Sequence, residues 1–349
     1  PKQCGAGLQK QTLVWQPSRR GGRCDDHRRN RDRDRRNNPR CWGNVRARVG
    51  NGTNAATLLD CGAKQGTPMS EDDTPYSGLT PDLILDALEA YGFAPTGSLL
   101  ALNSYENRVY QLELEDGSFC VTKFYRPNRW SDAQIHEEHA FTQELIDHDL
   151  SAVGPWQRDG ATLFHHAGFR FAVFPRQGGH APNIDNVDDL KVLARSMARL
   201  HSVGQVSAFR SRPAITPERL GTQSREFLLG AAFIPEELIP AYETTTEQLL
   251  AQIVPMFESQ PLQSWKRIHG DCHLGNLLWR DHTAHFVDFD DCVNGPPIQD
   301  LWMLLSGERH EQEAQLSQIM EAYTPFADFD FATLPLIEPL RTLRIMHHA

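Results

Sequence analysis

The chain has 349 residues, of which 40% are hydrophobic, and a formal net charge of −10 at pH 7. This length and apolar content allow a large core and predict two lobes or domains. We find no secretory leader and no apolar run near the roughly 18 residues that span a bilayer, so we expect no membrane partner. Seven scattered cysteines without C-x-x-C spacing argue against a disulfide framework or a zinc site and favour a reduced, cytoplasmic protein.

Residues 1–68 differ from the rest of the chain in composition. They carry 15 basic and 5 acidic residues, a net charge of +10, and contain no Phe, Ile, Tyr or Met. Such a stretch cannot bury a core. Its arginine run, residues 28–36, permits binding to nucleic acid through phosphates, but no aromatic residue is interleaved in that run. We predict that residues 1–68 are a disordered or non-native extension and that Met69 is the natural start.

The next stretch predicts a small lobe made of a helix and an antiparallel sheet. Thr80 is a good N-cap, Pro81 suits the first helical position, and apolar residues then recur at helical spacing up to Gly92. Asp116-Gly117 is a typical hairpin turn between two strands. The strands predicted around it are residues 98–102, 108–114 and 118–125.

The loop of residues 103–107 joins the first two predicted strands, and the family resemblance described below implies that it covers a nucleotide. It has no G-x-G-x-x-G pattern, so phosphates would be held by backbone amides and the hydroxyl of Ser104. The residues alone favour an ordinary polar hairpin loop. A role for Ser104 rests on the family resemblance described below.

Lys123 lies in a strand whose apolar residues alternate around it, and a half-buried lysine needs a charge partner. The α- and β-phosphates of ATP and a helix carboxylate would both serve. The following helix is predicted from the Ser131 cap to about His148. Glu138 falls within its apolar face and Glu137 at the edge, so we choose Glu138 as the partner of Lys123. An exposed strand lysine is the alternative.

The rest of the chain predicts two more short strands, a turn-rich linker and a mainly helical region. The linker, residues 176–183, is rich in Gly and Pro, as expected where two lobes hinge. The predicted strands are residues 161–164 and 169–174, and the predicted helices are residues 188–203, 235–257, 308–323 and 333–348. In the first of these helices, His201 is predicted to be a packed or capping residue.

The residues that carry chemistry are Asp271, Asn276 and Asp288. Asp271 and Asn276 are five apart, the spacing of a phosphoryl-transfer loop in which the Asp orients and deprotonates a hydroxyl and the Asn binds Mg²⁺. Residues 276–287 predict a β-hairpin, which would bring Asn276 close to Asp288. Two such oxygens on one ion suit Mg²⁺. The alternative is that Asp271 caps a turn and Asp288 ends a surface strand.

Neighbouring residues have simpler interpretations. His269 and His273 are four apart, but glycines interrupt the loop, so we interpret His269 as a structural support and His273 as a possible phosphate contact. Cys272 is interpreted as a small space-filling residue. Asp290 and Asp291 are interpreted as a solvated acidic turn rather than ligands of a second ion.

The loop His-Gly-Asp-Cys-His-Leu-Gly-Asn, residues 269–276, resembles the kinase-like phosphotransferases of the aminoglycoside and choline kinase group. Residues 103–110, 121–127 and 294–305 look like the bacterial stress response kinase A family, which is a cytoplasmic Ser/Thr protein kinase family. The resemblance covers residue 76 to the end. It implies that Ser104 contacts ATP and that Asp300 accepts hydrogen bonds from the backbone of the catalytic loop.

The resemblance implies an α+β, bilobal protein-kinase-like fold, with a small lobe of antiparallel sheet and helix and a large, mainly helical lobe. The predicted organisation is an extension (1–68), a nucleotide-binding lobe (69–175), a hinge (176–183) and a catalytic lobe (184–349). The chain ends inside a helical pattern and the family continues further, so we expect the catalytic lobe to be truncated. We expect a monomer.

The predicted function is ATP- and Mg²⁺-dependent transfer of the γ-phosphate to Ser and Thr hydroxyls of proteins, in a bacterial stress response. Asp271 is assigned as the general base, Asn276 and Asp288 as metal ligands, and Lys123 and Glu138 as the ATP-binding pair. A small-molecule kinase acting on an aminoglycoside, choline or another amino alcohol is the main alternative, because it would use the same catalytic residues. A third is a nucleic-acid-binding protein that uses the arginine-rich arm.

Overall fold

The computed structural model describes residues 75–231, 233–260 and 265–348. The predictions for residues 1–68 and for a start at Met69 lie outside the described residues. The described chain has a five-stranded antiparallel sheet in its first part and mostly helices in its second, which confirms the predicted α+β class. None of the described helices is long and apolar enough to cross a lipid bilayer.

The small lobe is a sheet with one helix before it in sequence and a second helix between its third and fourth strands. Its elements are α1 (Pro81–Glu89), β1 (Pro95–Leu102), β2 (Arg108–Leu114), β3 (Phe119–Phe124), α2 (Asp132–Asp147), β4 (Phe164–His166) and β5 (Phe169–Pro175). The strand order is β1-β2-β3-β5-β4, and every neighbouring pair is antiparallel. The predicted strands are confirmed, but β4 begins three residues late because Arg158 and Ala161 exchange backbone hydrogen bonds in a tight turn.

Both predicted helix starts in this lobe are confirmed by their caps. The Thr80 side chain accepts a hydrogen bond from the backbone N–H of Leu83, and Pro81 occupies the first turn, where its missing N–H costs nothing. At α2, the Ser131 side chain accepts from Gln134 N–H, and the Gln134 side chain accepts from Ser131 N–H. This capping box satisfies two backbone donors and sets the start of α2.

The helix α2 packs against both lobes. Residues of α1 and of the sheet form the small-lobe core, which includes Leu88, Leu112 and Phe171. The inner residues Phe141 and Leu145 of α2 instead belong to the large-lobe core. This position lets α2 carry a side chain such as Glu138 to the boundary between the lobes.

The large lobe is mainly helical. It contains α3 (Val187–Gly204), a π-helix (Glu218–Thr222), α4 (Gln223–Gly230), α5 (Ile239–Glu258), β6 (Lys266–Ile268), β7 (Leu277–Arg280), β8 (Thr283–Phe286), β9 (Val293–Gly295), α6 (Ile298–Trp302), α7 (Arg309–Tyr323) and α8 (Ile337–His348). The hairpin β7–β8 confirms the prediction for that stretch. The β6–β9 pair, the π-helix and α4 were not predicted.

Two predicted helices start later than expected. α5 begins at Ile239 and α8 at Ile337, each after a short 3-10 helix, Glu236–Leu238 and Phe331–Leu336 respectively. A 3-10 segment is wound more tightly than an α-helix but runs directly into it, so the sequence pattern does not show where one ends and the other begins.

The end of α3 packs directly on β6. The face predicted for α3 is buried throughout: Leu190, Leu193, Ala194, Met197, Leu200 and His201. At its last residue, Gly204, a Cβ atom would overlap the backbone carbonyl oxygen of Arg267 in β6. Only glycine allows this approach, so the contact sets how closely α3 lies against the strand that leads to residues 269–276.

Gly204→Ala is expected to lower the free energy of unfolding by at least about 2 kcal/mol, because a backbone oxygen cannot move aside as a flexible side chain can. Gly230→Ala is the matched control, since a Cβ at Gly230, also the last residue of a helix, meets no atom within 4 Å. Urea unfolding of both variants measures the difference. Equal stability of the two variants would contradict the close α3–β6 contact.

Candidate active site

The loop after β6 is held by a buried carboxylate on α6. Asp300 accepts hydrogen bonds from the backbone N–H groups of His269 at 2.9 Å and Gly270 at 2.8 Å, which confirms the role that the family resemblance implies for it. Gly270 has φ +84°, and a Cβ there would overlap the carbonyl oxygen of Asp291. The loop therefore takes a path that only glycine permits at this point, and Asp300 satisfies the two donors.

His201 supports Asp300 from α3. Its Nε2 lies 3.0 Å from Asp300 Oδ2, and its Nδ1 lies 2.9 Å from the hydroxyl of Tyr323. Burial lowers the pKa of His201 although Asp300 opposes that shift. A neutral ring donates from Nε2 to Asp300 and accepts from Tyr323 at Nδ1, which is the tautomer we assign. The prediction that His201 is a packed residue is confirmed.

Asp271 and Asn276 are close together, and a third residue joins them. The Asn276 Nδ2 donates to the Asp271 carbonyl oxygen at 2.9 Å and lies 3.4 Å from Asp271 Oδ2. Arg344, from α8, donates to Asp271 Oδ1 at 2.6 Å. The Asn276 amide nitrogen is thus engaged, which leaves its oxygen as the atom available to a cation.

The structure agrees with the interpretation of His269 as a support for the loop and of Cys272 as a space-filling residue. His269 Nε2 donates to the Val287 carbonyl oxygen at 2.9 Å, and its ring packs on Phe289 at 4.5 Å, so it supports the loop. Cys272 is fully buried, and burial raises the pKa of its thiol well above the usual value, so it is a space-filling residue rather than a nucleophile.

Asp288 follows β8 in a left-handed backbone conformation, with φ 58° and ψ 66°. Few residues other than glycine adopt this region, and Asp and Asn do so more readily than most. Its side chain is 53% exposed, and Oδ1 lies 3.7 Å from Lys123 Nζ. A half-exposed carboxylate at a strained backbone position, next to a buried cation, is typical of a functional residue rather than of a strand end.

Lys123 and Glu138 form the predicted pair. Lys123 Nζ lies 2.8 Å from Glu138 Oε1, and both side chains are buried. Burial disfavours the charged lysine, but Glu138, followed by other nearby groups that include Asp290, holds the pKa of Lys123 well above its usual value. The neighbouring Glu137 instead accepts hydrogen bonds from the backbone N–H groups of residues 210–212. The choice of Glu138 over Glu137 is confirmed.

The prediction of a solvated acidic turn at Asp290 and Asp291 is wrong for Asp290. Asp290 is buried, 3.5 Å from Lys123 Nζ and 3.6 Å from Arg129 Nε, and Trp130 Nε1–H donates to it at 3.3 Å. Burial opposes its charge, but Lys123 and two arginines hold the pKa of Asp290 below its usual value. The error arose because these partners lie about 160 residues away in sequence.

Arg212 completes this buried charge network, which we define as Lys123, Glu138, Asp290, Arg129 and Arg212. Its Nη1 lies 3.6 Å from Glu138 Oε2, Nε donates to the Cys292 carbonyl oxygen at 2.6 Å, and Nη2 donates to the backbone oxygen of Asp290. Arg129, Arg212 and Arg344 were all missed from the sequence. Each lies in a segment with no motif, so no local signal indicated them.

Ser104 lies in the loop between β1 and β2. Its hydroxyl donates to the backbone oxygen of Asn107, and Asn107 Oδ1 accepts from the backbone N–H of Arg126 at 3.1 Å. Glu106 pairs with Arg126 at 2.7 Å and Arg129 at 2.9 Å. These bonds hold the loop in a defined shape without glycines.

All six predicted site residues line one cavity of about 720 Å³. They come from five separate segments: Ser104, Lys123, Glu138, Asp271, Asn276 and Asp288. A cavity of this size accommodates a nucleotide-sized ligand. Within the described residues, no group of three or more His, Cys, Asp or Glu side chains is placed to hold a metal. The oxygens of Asn276 and Asp288 fit Mg²⁺ only together with phosphate or water oxygens, which is how Mg²⁺ is commonly bound.

Comparison with known proteins gives the family. The model of the family described as "Phosphotransferase enzyme family" matches residues 98–335. Stress response kinase A of Escherichia coli (strain K12) is 43% identical over 273 residues, 78% of this chain and 82% of that protein. Serine/threonine protein kinase RdoA of Salmonella typhimurium (strain LT2) is 42% identical over 280 residues, 80% of this chain and 84% of that protein.

Solved structures share the fold at lower identity. Amicoumacin kinase hAmiN, in complex with AMP-PNP, Ca²⁺ and Ami, has a TM-score of 0.65 and 20% identity and covers 76% of this chain and 84% of its own. A microcompartment-associated aminopropanol kinase has a TM-score of 0.59 and 22% identity and covers 77% and 88%. These structures show the fold alone. The family match over residues 98–335 and the sequence relatives establish that the chain belongs to the phosphotransferase enzyme family, as a relative of stress response kinase A.

Proposed function

We propose that the chain is an ATP- and Mg²⁺-dependent kinase that transfers the γ-phosphate of ATP to Ser and Thr hydroxyls of proteins. The observation that carries this proposal is the single cavity lined by all six residues that the sequence singled out for phosphoryl transfer. If Asp288 only ended a surface strand, Asp271 only capped a turn and Ser104 only belonged to a polar loop, nothing would require them to line the same cavity.

In this mechanism the protein supplies position and charge rather than covalent chemistry. Lys123, kept charged by Glu138, binds phosphate oxygens of ATP. Asp271 accepts a hydrogen bond from the acceptor hydroxyl, whose oxygen forms a bond to the γ-phosphorus as the bond to the β-phosphate oxygen breaks and ADP leaves. The hydroxyl proton passes to Asp271. Because Arg344 occupies Oδ1, we assign Oδ2 as the oxygen that receives the hydroxyl.

Asn276 and Asp288 would hold Mg²⁺ through their side-chain oxygens. The ion, when bound, neutralises charge on the phosphates. The chain's own contribution is the buried charge network. It fixes Lys123 from the α2 side, and its cations keep Asp290 ionised, two residues after Asp288.

A protein acceptor is supported by the relative that is 42% identical and is named as a serine/threonine protein kinase. A small-molecule kinase is the second candidate, because the structures that share the fold include kinases named for amicoumacin and aminopropanol. Those structures are at most 22% identical, so they bear on the fold more than on the acceptor.

Asp271→Asn is expected to lower the rate of γ-phosphate transfer by about 100-fold or more, because an amide cannot accept the hydroxyl proton. The measurement is transfer from labelled ATP with Mg²⁺, offered to generic Ser/Thr protein substrates and separately to a panel of amino alcohols and aminoglycosides. Asp281→Asn is the control, since Asp281 is exposed in the β7–β8 turn and lines neither this cavity nor the catalytic loop.

Label on Ser or Thr of protein that disappears in Asp271→Asn supports the proposal. Label on the small molecules alone would overturn the protein acceptor and leave a kinase. Transfer by Asp271→Asn within a few fold of the parent would remove Asp271 from the mechanism.

Lys123→Met is expected to raise the KM for ATP at least about tenfold and to destabilise the fold by about 3 kcal/mol, because Glu138 and Asp290 lose their shared buried cation. Lys123→Met with Glu138→Gln is expected to recover much of the stability but not ATP binding, since the double variant removes the unpaired carboxylate. Thermal unfolding and ATP titration of both variants separate the two roles. Recovery of ATP binding in the double variant would show that Lys123 does not contact the nucleotide.

Asp288→Asn is expected to raise the Mg²⁺ concentration needed for half-maximal activity by about tenfold or more, since a neutral amide is a weaker ligand for a hard cation. The same variant is expected to bind ATP in EDTA as the parent does. The measurement is an Mg²⁺ titration of transfer at saturating ATP. An unchanged half-saturation point would remove Asp288 from the metal site.

A further inference from the structure

A second cavity adjoins the predicted ATP cavity on the side of Asp271. It has a volume of about 1070 Å³ and shares Arg129, Asp291 and Arg344 with the first cavity. We call it the acceptor cleft, because its lining includes Gly270, the residue before Asp271, and Arg344, which donates to Asp271. Its position suits the molecule that provides the hydroxyl.

The charged side chains of the acceptor cleft are mostly cationic. Its walls contain four arginines and two carboxylates: Arg126, Arg129, Arg219, Arg344, Glu106 and Asp291. The cleft also contains His347 and His348, but burial lowers the pKa of His347 to about 4 and lowers that of His348, so both are neutral near pH 7.

Three of these arginines have carboxylate partners. Arg126 and Arg129 share Glu106, and Arg129 also lies 2.7 Å from Asp291. Arg344 donates to Asp271. Their charges are therefore largely compensated within the protein.

Arg219 differs from them. It lies in the π-helix, its guanidinium is 6.0 Å from the ring of Trp130, and among the described residues no carboxylate oxygen comes within 4.0 Å of it. Burial, reinforced by the like charges of Arg129 and Arg212, lowers the pKa of Arg219, while Asp291 opposes the shift. A half-buried guanidinium without a partner is unfavourable, and its planar donors match a carboxylate in two-point contact.

The cleft is also lined by two aromatic rings. Phe227 and Phe233 are 64% and 68% exposed, and their ring centroids lie 5.9 Å apart. A ligand that fills the cleft would thus meet both an unpaired cation and apolar rings. A peptide can present an acidic side chain to the arginine and apolar side chains to the rings. A small amino alcohol presents mainly a positive charge, which the arginines would repel.

We infer that the acceptor cleft binds an acidic peptide segment, in which an Asp or Glu beside the acceptor Ser or Thr pairs with Arg219. This inference rests on the proposed protein-kinase function and names its substrate class. The net charge of −10 for the whole chain would suggest a cationic acceptor, but the charges nearest the bound hydroxyl decide its selection.

The test compares peptides of equal length that carry one Ser or Thr in an acidic, a neutral or a basic context. Labelled transfer from ATP by the full chain gives kcat and KM for each. We expect the KM of the acidic peptide to be about tenfold lower than that of the neutral one, because the acidic peptide can form one additional charge-assisted contact through two hydrogen bonds. Its KM is expected to rise with salt, whereas that of the neutral peptide is not.

Arg219→Gln is expected to remove the tenfold KM difference between acidic and neutral peptides, and Arg219→Lys to keep part of it because the charge stays while the two-point geometry is lost. Arg195→Gln is the matched control: Arg195 is also half-buried and helical, and it lines neither cavity. It should leave the KM ratio unchanged.

The outcomes separate the inference from the function. Transfer to peptides with no acidic preference, or a preference that Arg219→Gln retains, would overturn the inference and leave a protein kinase. Transfer to small molecules with none to any peptide would overturn both. If Arg219→Gln does not fold, the Lys variant and the salt dependence of the parent decide.

Discussion

The cation of Lys123 is the constraint on which the site depends. Its ammonium lies within 4 Å of three carboxylates that come from α2 and from the segment after β8. Burying one cation with this much negative charge requires further cations, and Arg129 and Arg212 provide them. The network therefore joins the sheet of the small lobe to the segment that carries Asp288.

This arrangement explains why Asp290 is buried although it follows the predicted metal ligand by only two residues. Asp288 is half-exposed in the cavity, whereas Asp290 points into the network and accepts from Trp130. Asp288 and Asp290 are thus close in sequence, but the first is exposed to the cavity and the second is buried. The left-handed backbone at Asp288 separates them, because it turns the chain sharply at the end of β8.

Much of the site could be predicted from the sequence because several of its functional residues lie only a few positions apart along the chain. Asp271 and Asn276 share one loop, and a tight hairpin whose turn residues Asp281 and His282 have positive φ returns the chain toward Asp288. The helical period alone distinguished Glu138 from Glu137. The starts of α1 and α2 were predicted because their caps are local, whereas α5 and α8 begin later than predicted, after 3-10 segments.

The parts that could not be predicted depend on residues distant in sequence. Arg344 reaches Asp271 across 73 positions, and Arg129 reaches Asp291 across 162. The three-residue strands β6 and β9 are too short to show a pattern, and they pair only because the loop between them folds back. Arginines in loops and irregular helices carry no periodicity, so their partners become visible only in three dimensions.

The net charge of a sequence likewise does not show which charged side chains lie around a given cavity. Composition describes an acidic chain with a basic N-terminal stretch, yet most of the charged side chains around the acceptor cleft are arginines. Interactions between exposed charges fade over about 8 Å in physiological salt, so distant acidic residues contribute little to a ligand in the cleft. Carboxylates that already pair with Arg126 and Arg129 contribute little as well. Among the four arginines of the cleft, Arg219 alone has no carboxylate partner in the described part of the chain. We therefore infer that Arg219, and not the net charge of the protein, sets the charge that an incoming acceptor meets.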